Sequence, residues 1–517
     1  MRSSFMGLET ARRGLFTQQS ALYTTGHNVA NANTPGYSRQ RVNFQQTSPY
    51  PSIGLNSPAL PGQMGTGVEG GTVQRTRESF LDVQYRGENN KVGYYSALAQ
   101  SLQKMEGIMN EPTETGLQNT LDQFWNALQD LTTQTENSGA RDVVAARGQM
   151  VAETFNYYYN TLTQVQGNIG DQIGIKVEEV NALIEKIDHL NKSIADVEPH
   201  GYVPNDLYDE RDLLVDELSG LVNIKVKTVI PDKYGKVSPI AEGLYNIEIV
   251  QKDGTSYTSP ISLVSVTKET GIGPVNTLTL KPDDNSGPIT SVTIGGISIT
   301  DNSFSGELAG LIESFGYESG GGVKGKYPEM LDRLNLITEA FANEFNAIHR
   351  EGYALGASGK SGIDFFKFEA GLSSAAGIYV NDDIISNSNL IAAATGAGGS
   401  SGDNENAKNL ADIMEKNFTD YTTSAPSELN GSLVSYYSGM IGRLGVDSQS
   451  AQKDMKNSIT LATSVETNRQ SVSSVSLDEE MTNMIKFQQA YNSSARMITM
   501  MDEMLDRVVN GLGAGGR

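Results

Sequence analysis

The chain has no cysteine among its 517 residues and only one tryptophan. The lack of cysteine excludes disulfide bonds, thiolate zinc sites and a cysteine nucleophile. No stretch approaches the roughly 18 consecutive apolar residues of a membrane span, and residues 1–9 lack the apolar run of a secretory signal peptide. We therefore expect no membrane partner and, if the chain leaves the cytoplasm, export without a cleaved signal.

Positive charge is also scarce. The chain has 39 lysine and arginine residues against 61 aspartate and glutamate residues, which gives a formal net charge of −22. Binding to phosphate backbones or to anionic lipid surfaces requires a basic surface, so we predict no nucleic-acid partner. The length exceeds what one hydrophobic core usually holds, and we expect roughly two to four domains.

Motifs for catalysis and metal binding are weak. The segment 356–361 resembles the end of a phosphate-binding loop, but Ala354 occupies the first glycine position and no apolar strand precedes it. The segment 283–287 resembles the start of a calcium loop, but Ile294 replaces the bidentate glutamate. Four histidines lie in separate segments without ligand spacing, and we expect surface or capping roles for them: His27, His189, His200 and His349. We therefore predict no catalytic residue, no cofactor and no metal site.

One segment is rich in carboxylates: Asp209, Glu210, Asp212, Asp216 and Glu217. We interpret it as the solvated face of a helix, because charged side chains are rarely buried. Glycoside hydrolysis needs only two carboxyl groups, so a hydrolase that acts on the cell wall is an alternative that this pattern leaves open.

The two ends of the chain share one apolar rhythm. In 8–32 and 477–512 the apolar residues recur in alternating steps of three and four, the period of a helix whose narrow seam faces another helix. The predicted assembly seam consists of Leu8, Ala11, Leu15, Leu22, Val29, Met484, Tyr491, Ala495, Ile498, Leu505, Val509 and Leu512. Neither end can bury this seam alone. We therefore predict that the two ends pair as a coiled coil.

A second stripe lies beside the C-terminal seam and contains Ile485, Met497, Met501, Met504 and Val508. It is either a wider buried face or a separate partner surface. Methionine packs adaptably and suits a helix that contacts successive partners.

The remaining pattern predicts a mainly α fold with an inserted β domain. We expect a terminal coiled coil, an elongated helical bundle with some hairpins, and a small antiparallel β domain at the far end. Helical spacing covers 140–197, 204–221, 328–350, 405–418 and 430–470, whereas alternating apolar residues between turn signals predict strands over 223–305. The predicted domains are a terminal coiled-coil domain (1–36 and 471–517), a helical-bundle domain (37–222 and 306–470) and an antiparallel β domain (223–305).

The turn after the first helix carries a specific motif. Residues 28–40 read NVANANTPGYSRQ, and residues 477–491 read LDEEMTNMIKFQQAY. Both resemble the terminal signatures of the axial proteins of the bacterial flagellum, which include rod, hook and hook-associated proteins. The motif residues are Asn28, Ala30, Asn31, Asn33, Thr34, Pro35, Gly36 and Tyr37.

Within this group, three features resemble the hook-associated protein 1 family of the hook–filament junction. They are the sequence PGYSRQ at 35–40, the sequence KFQQAY at 486–491, and the internal stretches 205–214 and 306–311. The resemblance is close at both ends, moderate in the helical middle and slight over the β region. It therefore implies the domain plan but no strand order.

The resemblance implies a structural protein that joins hook to filament by helical self-assembly through its terminal helices. The implied partners are further copies of the chain, hook protein, the second junction protein, filament protein and an export chaperone on the C-terminal helix. The implied location is the extracellular flagellum, reached by type III export. Two alternatives are another axial protein, such as hook or distal rod, and a secreted wall hydrolase or adhesin on a flagellar scaffold.

Overall fold

The computed structural model describes residues 5–50, 62–109, 113, 116–282, 287–357, 359–396, 402–423 and 426–513, with side chains to Asn510 in the last stretch. The fold is mainly α with inserted antiparallel strands, as predicted. The helices are α1 (Phe5–Ala30), α2 (Ser79–Met109), α3 (Leu117–Thr133), α4 (Ser138–Val197), α5 (Asn205–Leu221), α6 (Glu307–Phe315), α7 (Lys326–Glu351), α8 (Ser374–Gly377), α9 (Asp382–Ser386), α10 (Glu405–Asp412), α11 (Leu433–Ser473) and α12 (Leu477–Gly513). Among the described residues, no helix has an apolar stretch long enough to cross a bilayer.

The strands form small antiparallel sheets. Their bounds are β1 (Gln40–Gln46), β2 (Val68–Arg75), β3 (Ile224–Val229), β4 (Leu244–Val250), β5 (Ser256–Thr267), β6 (Gly271–Val275), β7 (Leu278–Lys281), β8 (Ser291–Ile294), β9 (Ile297–Ile299), β10 (Tyr317–Ser319), β11 (Gly322–Lys324), β12 (Phe366–Phe368) and β13 (Ile378–Val380). Strands β3–β6 form one meander and β7–β9 form a second, while β1–β2, β10–β11 and β12–β13 are two-stranded. The predicted β region therefore contains two sheets, because alternation in a strand specifies its buried face but not its neighbours.

The chain divides into two compact units. Unit 1 consists of Met1–Asn89, Val180–Thr277 and Ile459–Arg517, and unit 2 consists of Asn90–Glu179 and Leu278–Ser458. Each unit therefore contains one of the two meanders. The three domains and boundaries predicted from the sequence stay a prediction.

The long helix predicted over 140–197 is confirmed as α4. Gly167 and Gly174 lie inside it, and a Cβ atom at either position would meet open space. Each glycine weakens a helix by up to about 1 kcal/mol relative to alanine. Buried residues at helical spacing, from Phe155 and Leu162 to Ile194, offset this cost.

An aromatic cluster forms the core of unit 2. Its members are at most 1% exposed and their ring centroids lie 4.8–6.4 Å apart: Phe124, Phe341, Phe345, Phe365 and Phe366. Helix α7 contributes two of these rings, those of Phe341 and Phe345. Strand β12 pairs with β13 beside this cluster.

His349 lies beside this cluster and corrects the prediction of surface or capping histidines. It is fully buried, with Nδ1 2.9 Å from the carbonyl oxygen of Ile363 and with Nε2 accepting from the backbone nitrogen of Ala392 at 3.1 Å. Burial lowers its pKa to about 4, since the charged form is poorly solvated there. Sequence spacing excluded a ligand set but could not reveal this internal position.

Candidate assembly site

Helices α1 and α12 pack against each other within unit 1, and their register is antiparallel. A Cβ atom at Gly7 would lie 2.7 Å from the Cε atom of Met501, and one at Gly14 would lie 3.2 Å from the Oγ atom of Ser494. Further along, Asn28 bonds to Glu480. Each step along α1 is thus matched by an equal step backward along α12. The predicted pairing of the two ends is present in a single chain.

The line of closest approach lies one residue before the predicted seam on each helix. On α1 this line passes through Gly7, Gly14 and Asn28, and on α12 it passes through Met501 and Glu480. On each helix these residues are separated by multiples of seven positions. Small residues allow the two backbones to approach closely. The predicted seam was based on large apolar residues. It therefore contains the neighbouring leucines, which flank the line of closest approach.

Most of the predicted seam residues are partly buried: Leu8, Ala11, Leu15, Leu22, Val29, Met484, Tyr491, Ala495, Ile498 and Leu505. Val509 is an exception. It is 69% exposed, because the facing position on α1 lies before Phe5. The side chain of Leu512 lies outside the described residues. The role of this set in assembly stays a prediction.

The methionine stripe divides into two parts. Met501 packs against Gly7 and so belongs to the helix pair. The other members are about half exposed: Ile485, Met497, Met504 and Val508. A separate partner surface formed by these four stays a prediction. Their binding to a chaperone stays a prediction.

The β1–β2 hairpin covers a further side of α1. The hydroxyl of Thr17 donates to the carbonyl oxygen of Val68 at 3.3 Å, and Thr17 is buried. Phe44 on β1 meets Phe487 on α12 edge to face, with ring centroids 5.9 Å apart. This hairpin therefore follows the first helix and contacts both terminal helices.

Asn28, in the family motif, is the central polar residue of this region. It is 1% exposed and its amide nitrogen donates to the carbonyl oxygen of Gln40 at 2.8 Å and to Glu480 at 3.1 Å. Its amide oxygen accepts from the hydroxyl of Tyr37 at 2.8 Å and from the backbone nitrogen of Gln40 at 3.0 Å. Four hydrogen bonds thus connect the end of α1, the start of β1 and the start of α12.

The rest of the motif forms the turn between α1 and β1. Asn31 bonds to the hydroxyl of Thr34, and Gly36 has a φ of +78°, a conformation that favours glycine. A Cβ atom at Gly36 would also lie 3.2 Å from that of Leu213. Five motif residues are exposed in the single chain: Ala30, Asn33, Thr34, Pro35 and Gly36.

A buried ionic cluster lies beside this turn. Its arginines are Arg75, Arg77, Arg86 and Arg469, and its main carboxylates are Asp82, Asp209, Asp212, Asp216 and Glu242. Arg75 reaches Asp209 at 2.6 Å and Asp212 at 3.0 Å, while Arg86 reaches Asp216 at 2.6 Å. The cluster joins β2, α2, α5 and α11 within unit 1.

This cluster corrects the interpretation of the acidic segment as a solvated face. Asp209, Asp212 and Asp216 are at most 6% exposed, and only Glu210 and Glu217 face solvent. The three buried aspartates share one face of α5 by their spacing of three and four. The sequence suggested that these five carboxylates are exposed to solvent, because the arginines that pair with the buried ones are distant in the sequence.

Two opposing effects act on the pKa values of the buried aspartates: burial raises them and the neighbouring arginines lower them. Burial by itself would raise the pKa of Asp212, but Arg77, Arg75 and Arg86 together hold that pKa well below its usual range. At Asp209 burial outweighs the single strong partner Arg75, and the pKa is raised. Asp212 is therefore the carboxylate on which the charge balance of the cluster most depends.

The cluster contacts Ser38, whose backbone nitrogen donates to Asp209 and whose hydroxyl accepts from Arg77, and the next residue, Arg39, contacts the helix pair. Its guanidinium bonds to Glu480 at 2.8 Å and to Glu479 at 2.6 Å, and its backbone nitrogen donates to the carbonyl oxygen of Ser473 at 2.8 Å. Arg39 and Glu480 both occur in the quoted terminal motifs. Their pairing across the length of the chain was not predicted, because a motif identifies residues without identifying their partners.

Comparison with known proteins matches this geometry to one family. The model of the flagellar hook-associated protein FlgK helical domain matches residues 102–366. A model of flagella basal body rod protein matches 8–37, and one of the flagellar basal body rod FlgEFG protein C-terminal region matches 467–512. Flagellar hook-associated protein 1 of Bacillus subtilis is 45% identical over 530 aligned positions that cover all of both chains. The chain belongs to the hook-associated protein 1 family.

More distant members agree. Hook-associated protein 1 of Salmonella typhimurium is 26% identical over 69% of this chain, and that of Escherichia coli is 25% identical over the same share. The matches cover 58% and 59% of those two relatives. The structure of FlgK from Burkholderia pseudomallei has the same fold, with a TM-score of 0.53, 13% identity, and coverage of 76% of this chain and all of that one.

The family matches confirm the resemblance inferred from the terminal motifs. They also extend it, since the helical-domain model includes the strands within 223–305, where the quoted motifs gave only a slight likeness.

Proposed function

We propose that the chain is a structural subunit of the bacterial flagellum that joins hook to filament and self-assembles through its paired terminal helices. The name of the Bacillus subtilis relative supports a place among the hook-associated proteins. The proposal involves no catalysis. The flagellar family supports assembly with other flagellar components, and the proposed location is outside the cell after export without a cleaved signal peptide.

The observation that carries the proposal is the α1–α12 pair, held at its base by Asn28 and still apolar on its outer side. Phe16 is 57% exposed and Tyr23 is 73% exposed on α1, and Ile485 is similarly exposed on α12. Large apolar side chains exposed together along a helix pair indicate a surface that neighbouring molecules cover. A heterologous contact can continue along a tube, whereas an isologous contact closes as a dimer.

The proposed neighbours are hook protein on one side and the second junction protein and filament protein on the other. Before export, the half-exposed stripe of Ile485, Met497, Met504 and Val508 is the proposed contact of an export chaperone. A pull-down with the chaperone would test this. Replacing Met497 and Met504 by lysine should abolish binding and leave the helix pair intact.

Loss of the gene provides the first test of function. A junction subunit predicts cells with complete hooks that release filament protein into the medium. Loss of the hook itself would instead identify a hook or distal rod protein and overturn the proposal. Electron microscopy of hooks, together with immunoblots of the medium, distinguishes the two results.

The helix pair provides the second test. Leu15→Asp and Ile498→Asp each place a charge in the partly buried seam, so we expect a soluble chain that no longer supports filament attachment. Matched controls are Ser20→Asp and Gln489→Asp, which change exposed positions on the same helices. Normal swimming by the seam variants, or equal loss by the controls, would contradict the proposal.

A further inference from the structure

The C-terminal part of α12 has no counterpart among the described residues of α1. In the register set by Gly7 and Met501, residues after about 503 lie beyond Phe5, the first described residue of α1. Met504 is 45% exposed and Val508 is 52% exposed there. We call Asp502–Asn510 the overhang. In this register, no described residue of α1 faces Met504 or Val508.

A groove lies toward the other end of the same helix pair. It has a volume of about 390 Å³ and lies between α1, β1 and the start of α12. Ala21, Phe44 and Phe487 supply its apolar lining, and Phe44 is 44% exposed. Along α12 the groove at Phe487 and the overhang at Met504 are about 25 Å apart, at 1.5 Å per residue.

The two surfaces have opposite charge. Arg39, Arg41 and Lys486 line the groove against one carboxylate, that of Glu480. Among the described residues, neither Arg41 nor Lys486 makes an ion pair. The overhang carries three acidic residues and one basic residue: Asp502, Glu503, Asp506 and Arg507. Its acidic side chains are exposed and form no ion pair with described residues.

We propose that the overhang of one copy docks into the groove of a second copy, with Met504 against Phe44 and with the overhang carboxylates beside Arg41 and Lys486. The inference rests on the proposed function and identifies the surfaces that carry it. The two surfaces differ and lie about 25 Å apart on one helix. In the proposed arrangement each copy places its overhang on one neighbour and receives the overhang of another, so the contact is heterologous and repeats without closing.

The lack of native cysteine makes cross-linking a direct test. Full-length chains with Phe44→Cys and tagged chains with Met504→Cys would be mixed, added to isolated hooks and oxidised. We expect tagged and untagged chains to form covalent dimers on the hooks. The control is Met497→Cys, which has the same 45% exposure one heptad earlier on α12 but lies outside the overhang. Dimers of equal yield with the control, or none with Met504→Cys while both proteins still add to hooks, would overturn the inference.

Charge exchange tests the same contact without cysteine. Reversing the groove (Arg41→Glu with Lys486→Glu) or the overhang (Glu503→Lys with Asp506→Lys) should reduce addition to hooks by roughly tenfold or more. The four changes in one chain should restore addition, because each reversed groove then meets a reversed overhang. A combined variant as defective as either pair would refute the docking. If the unaltered chain does not add to hooks, the proposed function itself fails.

Discussion

Asn28 offers the sharpest test of how the terminal helices are held. In Asn28→Ala, the backbone N–H and C=O of Gln40, a residue 8% exposed, lose their partner, while Glu480 keeps its bond to Arg39. An unpaired buried polar group costs about 1–3 kcal/mol. Two such groups, partly hydrated after the change, should lower the free energy of opening the helix pair by about 3 kcal/mol. This corresponds to roughly a 100-fold change in the local opening equilibrium.

The isosteric variant Asn28→Asp sharpens the test. The introduced carboxylate keeps both acceptor bonds but directs its second oxygen at the carbonyl of Gln40 and at the carboxylate of Glu480, which the native amide contacts at 3.1 Å. Two like charges at this distance disfavour ionisation of both. We expect this variant to be less stable than Asn28→Ala at neutral pH. The difference should shrink below about pH 5, when the pair takes up a proton that can serve as the missing donor.

Hydrogen exchange measured by mass spectrometry is the assay, because it reports on each segment separately. Peptides from α1 and α12 should lose roughly 100-fold in protection in Asn28→Ala. The fluorescence transition of Trp125, the only tryptophan, which lies in α3 of unit 2, should be unchanged. Equal protection in all three proteins, or a more stable Asn28→Asp at neutral pH, would show that the amide does not hold the helix pair.

Three further predictions follow from single positions. Asp212→Ala should destabilise unit 1 by about 3–5 kcal/mol, read by hydrogen exchange, because it leaves buried arginines without their shared partner. Gly36→Ala should cost about 1 kcal/mol or more at its φ of +78°, seen as faster exchange in the turn, whereas Gly107→Ala, on an open helical position, should not. Burial lowers the pKa of His349 from 6.5 to about 4. The free energy of unfolding of unit 2 should therefore fall by up to about 3 kcal/mol as the pH falls from 6.5 to 4, with no change from this group above pH 6.5. In His349→Gln the Trp125 transition should lack this pH dependence.

The sequence predicted the elements well where periodicity is long or turn residues are clear. Helix α4 lies where its apolar pattern placed it. The pairing of the two chain ends was also predicted, because each end repeats a seam over several turns that it cannot bury itself. Element boundaries shifted by only a few residues, as with α10, which ends at Asp412 rather than near 418.

The interior of the site was less predictable, for two physical reasons. Close helix contact depends on small residues such as Gly7 and Gly14, which a search for large apolar residues ignores. Buried charge depends on partners far away in sequence, such as Arg75 for Asp212. The spacing of the buried aspartates on one face of α5 was visible in the sequence, but only the structure shows that this face points inward.

The buried ionic cluster and the exposed apolar surfaces contribute differently to assembly. A buried ion pair adds little net stability over a well-packed apolar group, but removing one partner is costly, so such clusters fix geometry more than they stabilise. Here the cluster bonds to Ser38, and the adjacent Arg39 pairs with Glu480, which bonds to Asn28 in the helix pair. The direction of the pair is therefore fixed at one end by contacts within the chain, while the overhang at the other end retains apolar surface. A subunit built this way presents the same docking end in the same orientation in every copy, which a heterologous, repeating contact requires.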